Sequence, residues 1–192
     1  MHVLLVNPYQ ETQPYLLPNL GLGHLASALM AAGHRVTYLD CLRDGVARGS
    51  WKAYLRRDPT IDVVGIQMFT YNWTTVKEMF ERAKEVREDL VTICGGPHPN
   101  AMPVQTLRRI DALDYVVSGE GERAIVQLCD ILSGASDASL DDVVNLVWHD
   151  GTKVRFNPKW YEPDLDALEP AAWDLMRPDT YPLLAHGILN RA

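Results

Sequence analysis

The chain has 192 residues, 47% of them hydrophobic and 22% charged, with a formal net charge of −7 and a sequence pI near 5.3. These are the proportions of one globular domain with an appendage, long enough to bury a core. The acidic balance, with no basic run longer than Arg56-Arg57 or Arg108-Arg109, argues against a nucleic acid or an anionic membrane as partner, and no segment approaches transmembrane length.

Residues 2–6 are an apolar run without the basic flank or cleavage sequence of a signal peptide, and read as a first buried strand. A polar loop over 7–18 follows. Leu20, Leu22, Leu25, Leu29 and Met30 then recur at helical spacing. Gly21 and Gly23 fall in the first turns of this helix, where close packing or a ligand requires them, and Gly33 supplies the stop. Residues 35–39 read as a second strand and 51–57 as a short helix. The apolar stretch 62–69 reads as a central third strand, leading through Thr70, Tyr71, Asn72 and Trp73 into a helix that ends near residue 88. A fourth strand over 90–94 stops abruptly at Gly95-Gly96-Pro97-His98, and paired glycines at a strand end let backbone lie close against something bulky. A short helix over 104–109 precedes a fifth strand at 115–117. Ser118-Gly119-Glu120-Gly121 then opens a helix to about residue 132.

This alternation predicts an α/β fold, a flavodoxin- or Rossmann-like doubly wound sheet of five parallel strands covered by helices on both faces. Ligands in such folds sit outside the carboxyl ends of the strands, and the loops at 7–18, 70–73, 95–98 and 118–121 all leave that edge. Beyond Gly134 the pattern changes. Residues 145–149 and 153–156 alternate around Asp150-Gly151, a hairpin signal, and the stretch from residue 157 carries five prolines and reads as an extended linker. The expected division is therefore a ligand-binding α/β domain over 1–134, a hairpin extension over 135–157 and a linker over 158–192. Cys41, Cys94 and Cys129 are scattered, with no C-x-x-C. That excludes a disulfide framework or a zinc site and points to the reducing cytoplasm.

Catalytic motifs are absent: there is no G-x-S-x-G and no H-E-x-x-H, and no residue is assigned a catalytic role. The Gly119-Glu120-Gly121-Glu122 turn has two equal readings. Its N–H groups suit an anion or polar amide, and its acidic residues equally suit a plain helix start. Gly21-x-Gly23 lies too far from the first strand for a dinucleotide fingerprint. A flavin- or nucleotide-binding enzyme domain, with the 118–121 turn as phosphate nest, is the competing reading. A receiver-like signalling module is disfavoured by the lack of paired acidic residues directly after the first strand.

The combination of VNP, LGLGHLASALMAAGHRV, DVVGIQMFTYN, ICGGPHP, DYVVSGEGE and DLDALEPAAWDLM resembles the N-terminal cobalamin-binding domain of cobalamin-dependent radical S-adenosylmethionine enzymes, over essentially the whole chain. The resemblance implies that Gly95 and Gly96 make room for the nucleotide tail of the corrinoid, with Pro97 and His98 beside it. It implies further that Gln67, Met68, Phe69, Thr70, Tyr71 and Asn72 line the tail or corrin edge, and that the turn of Ser118, Gly119, Glu120, Gly121 and Glu122 sits at the same rim. Asn7, Pro8 and Gly21 complete the expected cobalamin contacts. A bulky residue at Gly96 is then expected to abolish cobalamin retention in a folded domain.

Two departures qualify that resemblance. Relatives that place a histidine under cobalt carry D-x-H-x-x-G after the first strand, whereas the loop over 7–18 has no histidine. Cobalamin without a protein ligand to the metal is therefore expected, with His24 a helix-packing residue and His98 a tail contact. The C-x-x-x-C-x-x-C motif of a radical S-adenosylmethionine cluster is also missing. The resemblance implies that the [4Fe-4S] cluster and S-adenosylmethionine belong to a barrel partner joined in cis, towards whose substrate the cobalt carries a methyl group; a stand-alone corrinoid carrier is the alternative.

Overall fold

The structure, a computed structural model, describes residues 1–9 and 17–181. Most of the loop over 7–18 and the last part of the tail, Pro182 included, lie outside the described residues. Strand β1 (His2–Asn7) is buried along its whole length, as a central strand covered on both faces must be. Helix α1 (Leu20–Ala31) is capped by the Asn19 side chain, which accepts from the Leu22 N–H at 3.2 Å. Strand β2 (Arg35–Asp40), helix α2 (Trp51–Arg57) and strand β3 (Val63–Gln67) follow. Helix α3 (Trp73–Val86) buries Val76, Met79, Phe80 and Ala83, spaced three and four apart on one face. Strand β4 (Val91–Gly95) leads into two short helices, α4 (Pro97–Ala101) and α5 (Pro103–Arg109), each opened by a proline in its first turn. Strand β5 (Tyr115–Val117) feeds helix α6 (Glu122–Ser133), which stops at Gly134 in the left-handed conformation, φ 73°.

The sheet is parallel in the order β2-β1-β3-β4-β5 and continues without a break into strands β6 (Leu146–Asp150) and β7 (Lys153–Phe156). The expected count of five is thus corrected to seven. β6 pairs antiparallel with β5, Val116 opposite Val147, and with β7, Asp150 opposite Lys153 across a turn at Gly151 and Thr152. The free edge of β5 is the reason: Val116 and Val147 are both fully buried in one core cluster, and left uncovered they would lie open to water. One face of the sheet packs α2, α3 and α5 through Trp51, Phe80, Met79 and Leu107; the other packs α1 and α6 through Leu22, Leu29, Ile125 and Leu128.

The proline-rich stretch is folded back over 158–181 and is no extended linker there. A short helix, α7 (Trp173–Met176), lies against α1. The fully buried Met176 side chain fills the space a side chain at Gly23 would take, so Gly23 is a packing glycine. The Ala172 N–H donates to Gly23 O at 3.1 Å, Ser27 Oγ donates to Pro170 O at 2.6 Å, and His24 Nδ1 lies 3.0 Å from Glu169 O. Prolines remove donors but do not prevent burial, and Ala171, Ala172, Met176 and Tyr181 supply the apolar contacts. Truncating a buried methionine costs about 2–5 kcal/mol. Met176→Ala is therefore expected to lower Tm and to speed protease cleavage within 158–181, as read by limited proteolysis with mass spectrometry.

Candidate functional site

β1, β3 and β4 run side by side, with Leu5 in register with Gly65 and Gly65 in register with Ile93. On the face that meets α1 and α6 the middle member of this row has no side chain. A cavity of about 210 Å³ lies there, with Leu5, Gly65, Ile93 and Val117 from the strands, Leu22 and Leu25 from α1, and Ile125 from α6 along its walls. Gln67, Gly95, Gly96, Gly119, Glu120, Gly121, Glu122 and Gly21 surround it at the carboxyl edge and the helix starts. The first-turn N–H groups of α6 have no intrahelical partners and supply polar donors at that end.

The two glycines of β4's end differ. A Cβ at Gly95 would meet nothing nearer than Val117 O at 3.9 Å, so the absent side chain leaves usable space. Gly96 has φ 109°, and a Cβ there would stand 2.9 Å from Met68 O, 3.1 Å from Met68 N and 2.9 Å from Gln67 Cγ. Its backbone is pressed on β3's end, where the Met68 N–H donates to Gly95 O at 2.8 Å and the His98 N–H to Met68 O at 3.1 Å. Gly96 is thus required by the protein's own chain. The expectation that a bulky residue at Gly96 leaves the domain folded is corrected on this ground.

Of the site residues expected from sequence, Gly21, Gln67, Gly95, Gly96, Gly119, Glu120 and Gly121 meet around the cavity. The others are placed elsewhere. Met68 is fully buried in the core of the opposite face. Asn72 Oδ1 accepts from the Phe69 N–H at 2.8 Å, fixing the turn over 70–72. Phe69 and Tyr71 stack at 5.3 Å with Tyr71 exposed, and His98 lies tilted against Trp73 at 5.0 Å with Nδ1 3.0 Å from Thr70 Oγ1. Burial, with Arg109 adding to it, lowers the His98 pKa. Pro97 starts α4, and Pro8 is buried beside the end of β1. Ser118 is buried, its N–H donating to Asn145 O at 2.9 Å. Asn7 Nδ2 donates to the buried Asp40 at 2.9 Å, and Asp40 also accepts from Tyr181 Oη at 2.9 Å. Asn19 Nδ2 donates to Gln67 Oε1 and, at 3.4 Å, to Asn7 Oδ1, so this polar chain reaches the cavity's edge.

The cysteines are buried in the two cores, Cys41 and Cys94 in one and Cys129 in the other. Burial pushes the Cys41 and Cys129 thiols up to about 12 and Cys94 up as well. Among the described residues no group of three or more His, Cys, Asp or Glu is placed to hold a metal ion, and no helix is long and apolar enough to cross a membrane.

The family model of the B12 binding domain matches residues 8–129. The chain belongs to the B12-binding domain family. This B12-binding domain is 30% identical over 188 residues to an uncharacterized methyltransferase of Pyrococcus horikoshii, a match covering 94% of the chain and 40% of the relative. Its fold is similar to that of the cobalamin-dependent S-adenosylmethionine radical enzyme OxsB, solved with aqua-cobalamin and S-adenosylmethionine bound. The TM-score is 0.75 at 22% identity over 89% of this chain and 24% of that one. The radical S-adenosylmethionine methyltransferase TsrM from Kitasatospora setae, solved with cobalamin and a [4Fe-4S] cluster, gives 0.69 at 22% identity over 88% of this chain and 31% of that one. The B12-binding domain thus spans well under half the length of these proteins.

The cavity fits part of a cobalamin. Sites that enclose a whole drug-sized ligand run to roughly 300–1,000 Å³, and about 210 Å³ is too little for a corrin with its side chains. It has the apolar walls and polar entrance suited to a flat aromatic base. Sequence reasoning missed Gly65 and the apolar walls. Gly65 carried a signal, a lone glycine inside the strand V-V-G-I-Q, which marks close approach by another group. The walls carried none, because Leu5, Ile93 and Ile125 read as ordinary core.

Proposed function

We propose that the cavity between the sheet and helices α1 and α6 receives the nucleotide tail of cobalamin, with the corrin ring lying across the carboxyl edge. The observation that carries this reading is the row Leu5, Gly65, Ile93, in which a B12-binding domain lacks one side chain and holds a cavity in its place. Gly95, Gly119 and Gly121 keep the entrance low, and the start of α6 offers N–H donors to polar groups of the tail. Among the described residues His98 is held by Thr70 and Trp73 and His24 faces Glu169, which supports a cobalt without a ligand from either of these histidines.

The longer relatives support placing the domain in a radical S-adenosylmethionine enzyme with its barrel in cis, and the scattered, unpaired cysteines support a reducing, cytoplasmic location. Cobalamin, when bound, supplies a cobalt centre able to carry a methyl group. The residues of this chain bind and orient it. Incubating the protein with hydroxocobalamin and then desalting is expected to leave about one corrinoid per chain, with an absorption spectrum unchanged in His98→Ala. Retention of flavin mononucleotide in place of corrinoid would overturn the assignment in favour of a flavin site, and a histidine-dependent spectrum would overturn the unligated cobalt.

A further inference from the structure

The turn that closes the cavity beside α6 is held from behind by a residue outside the parallel strands. Asn145, just before β6, is fully buried and has φ 60°, a left-handed conformation unusual for a residue with a side chain. Its Nδ2 donates to Glu120 O at 2.8 Å and to Trp160 O at 2.9 Å, and its Oδ1 accepts from the Trp160 N–H at 2.8 Å. Its own carbonyl accepts from the Ser118 N–H at 2.9 Å, and its N–H donates to Pro158 O at 3.2 Å. The carboxamide also stands 3.4 Å from where a Cβ of Gly119 would be, with Gly119 itself at φ 125°. Every hydrogen-bonding group of Asn145 that these bonds use is turned either to the 118–120 segment or to the tail at 158–160.

The side-chain identity follows from those demands. The position needs two donors and one acceptor on a short planar group, together with tolerance of positive φ, and asparagine alone offers the combination. Aspartate has the shape and keeps the acceptor for the Trp160 N–H, but in place of Nδ2 sets an acceptor oxygen against the Glu120 and Trp160 carbonyls; glycine takes the backbone conformation and loses the clamp. Gly119, Glu120 and Gly121 are cavity residues, so whatever fixes this turn fixes the width of the entrance.

We infer that Asn145 is a positioning residue for the cofactor's nucleotide tail, acting by locking the Gly119–Glu120–Gly121 lip at the width that admits the tail. This rests on the cavity reading above. Its test separates the tail from the rest of the corrinoid by comparing cobalamin with cobinamide, which has the same ring and no nucleotide. Titrations of the wild-type protein, Asn145→Asp and Asn145→Gly are read by corrinoid absorbance, and amide hydrogen exchange is followed in the ligand-free proteins. The expected result is a wild-type preference for cobalamin. In both variants cobalamin affinity falls about tenfold or more, the scale of losing buried hydrogen bonds, cobinamide affinity stays within about twofold, and exchange quickens at 118–122. Equal losses for both corrinoids would show general damage and overturn the inference, as would unchanged preference or unchanged exchange. A wild-type protein that binds both corrinoids equally would instead sink the cavity reading itself.

Discussion

Gly65→Val is expected to stabilise the domain and to abolish cobalamin binding. The two effects have one cause. A Cβ at Gly65 would meet the Leu5 Cδ2 methyl at 3.2 Å and, at an ordinary contact distance of 3.9 Å, Leu4 O, and beyond these lies the cavity. The end of a leucine side chain gives way readily, and a β-branched residue suits a central strand. Filling a cavity commonly contributes about 0.5–2 kcal/mol, which in a domain of this size raises Tm by a few degrees. The same methyl groups occupy the middle of the row between Leu5 and Ile93, where the nucleotide tail is proposed to lie. Cobalamin affinity should fall about a hundredfold or more, equivalent to about 3 kcal/mol. Thermal melts and a cobalamin titration on the one variant check both halves. A variant that melts higher and still binds normally would move the tail out of this cavity.

The neighbouring glycines at the end of β4 should respond in opposite ways. Gly96→Ala forces a side chain into a positive-φ site already crowded by Met68 O and Gln67 Cγ at 2.9 Å. Left-handed strain alone costs about 1–3 kcal/mol, and the clash with backbone cannot relax by a rotamer change. A loss of about 3 kcal/mol or more is expected, roughly 6–12 °C in Tm, with cobalamin binding falling because the domain is less folded. Gly95→Leu meets no comparable obstacle, its Cβ standing 3.9 Å from the nearest contact. It should hold Tm within a few degrees, about 1 kcal/mol, and block the entrance. Denaturant melts beside corrinoid retention distinguish a folding defect at Gly96 from a binding defect at Gly95. Finding both variants equally stable would mean that the close approach of Gly96 to β3 is not needed.

The five parallel strands were legible because buried strands are short apolar runs bounded by turn residues, and the helices between them repeat at helical spacing. The continuation of the sheet was not. The alternation in β6 and β7 announces strands and a turn, but no local pattern says that Val147 will lie opposite Val116 after α6 has crossed the sheet. The tail misled for a related reason: prolines speak to the lack of regular hydrogen bonding, and the burial of Met176 depends on a hole at Gly23, about 150 residues earlier in the chain. At the site, Gly95, Gly119 and Gly121 stood out because loop glycines are visible punctuation. Leu5, Leu25 and Ile93 could not, since a wall facing a cavity and a wall facing a core call for the same side chains. Asn145 was hidden because it read as the first residue of the alternating run 145–149, where nothing local marks a buried clamp.

The outer edge of β7 determines how the domain behaves towards copies of itself. An open strand edge is a template for another chain, and long flat apolar edges aggregate. β7 is only four residues long, exposes Lys153 and Arg155, and has Arg155 drawn to Asp150 at 2.9 Å. A second copy approaching edge to edge would find a ladder of only four residues carrying two cationic side chains beside the exposed Phe156. The hairpin that completes the core beside β5 therefore also leaves the sheet with a short, charged last strand, the kind of edge that disfavours further strand pairing.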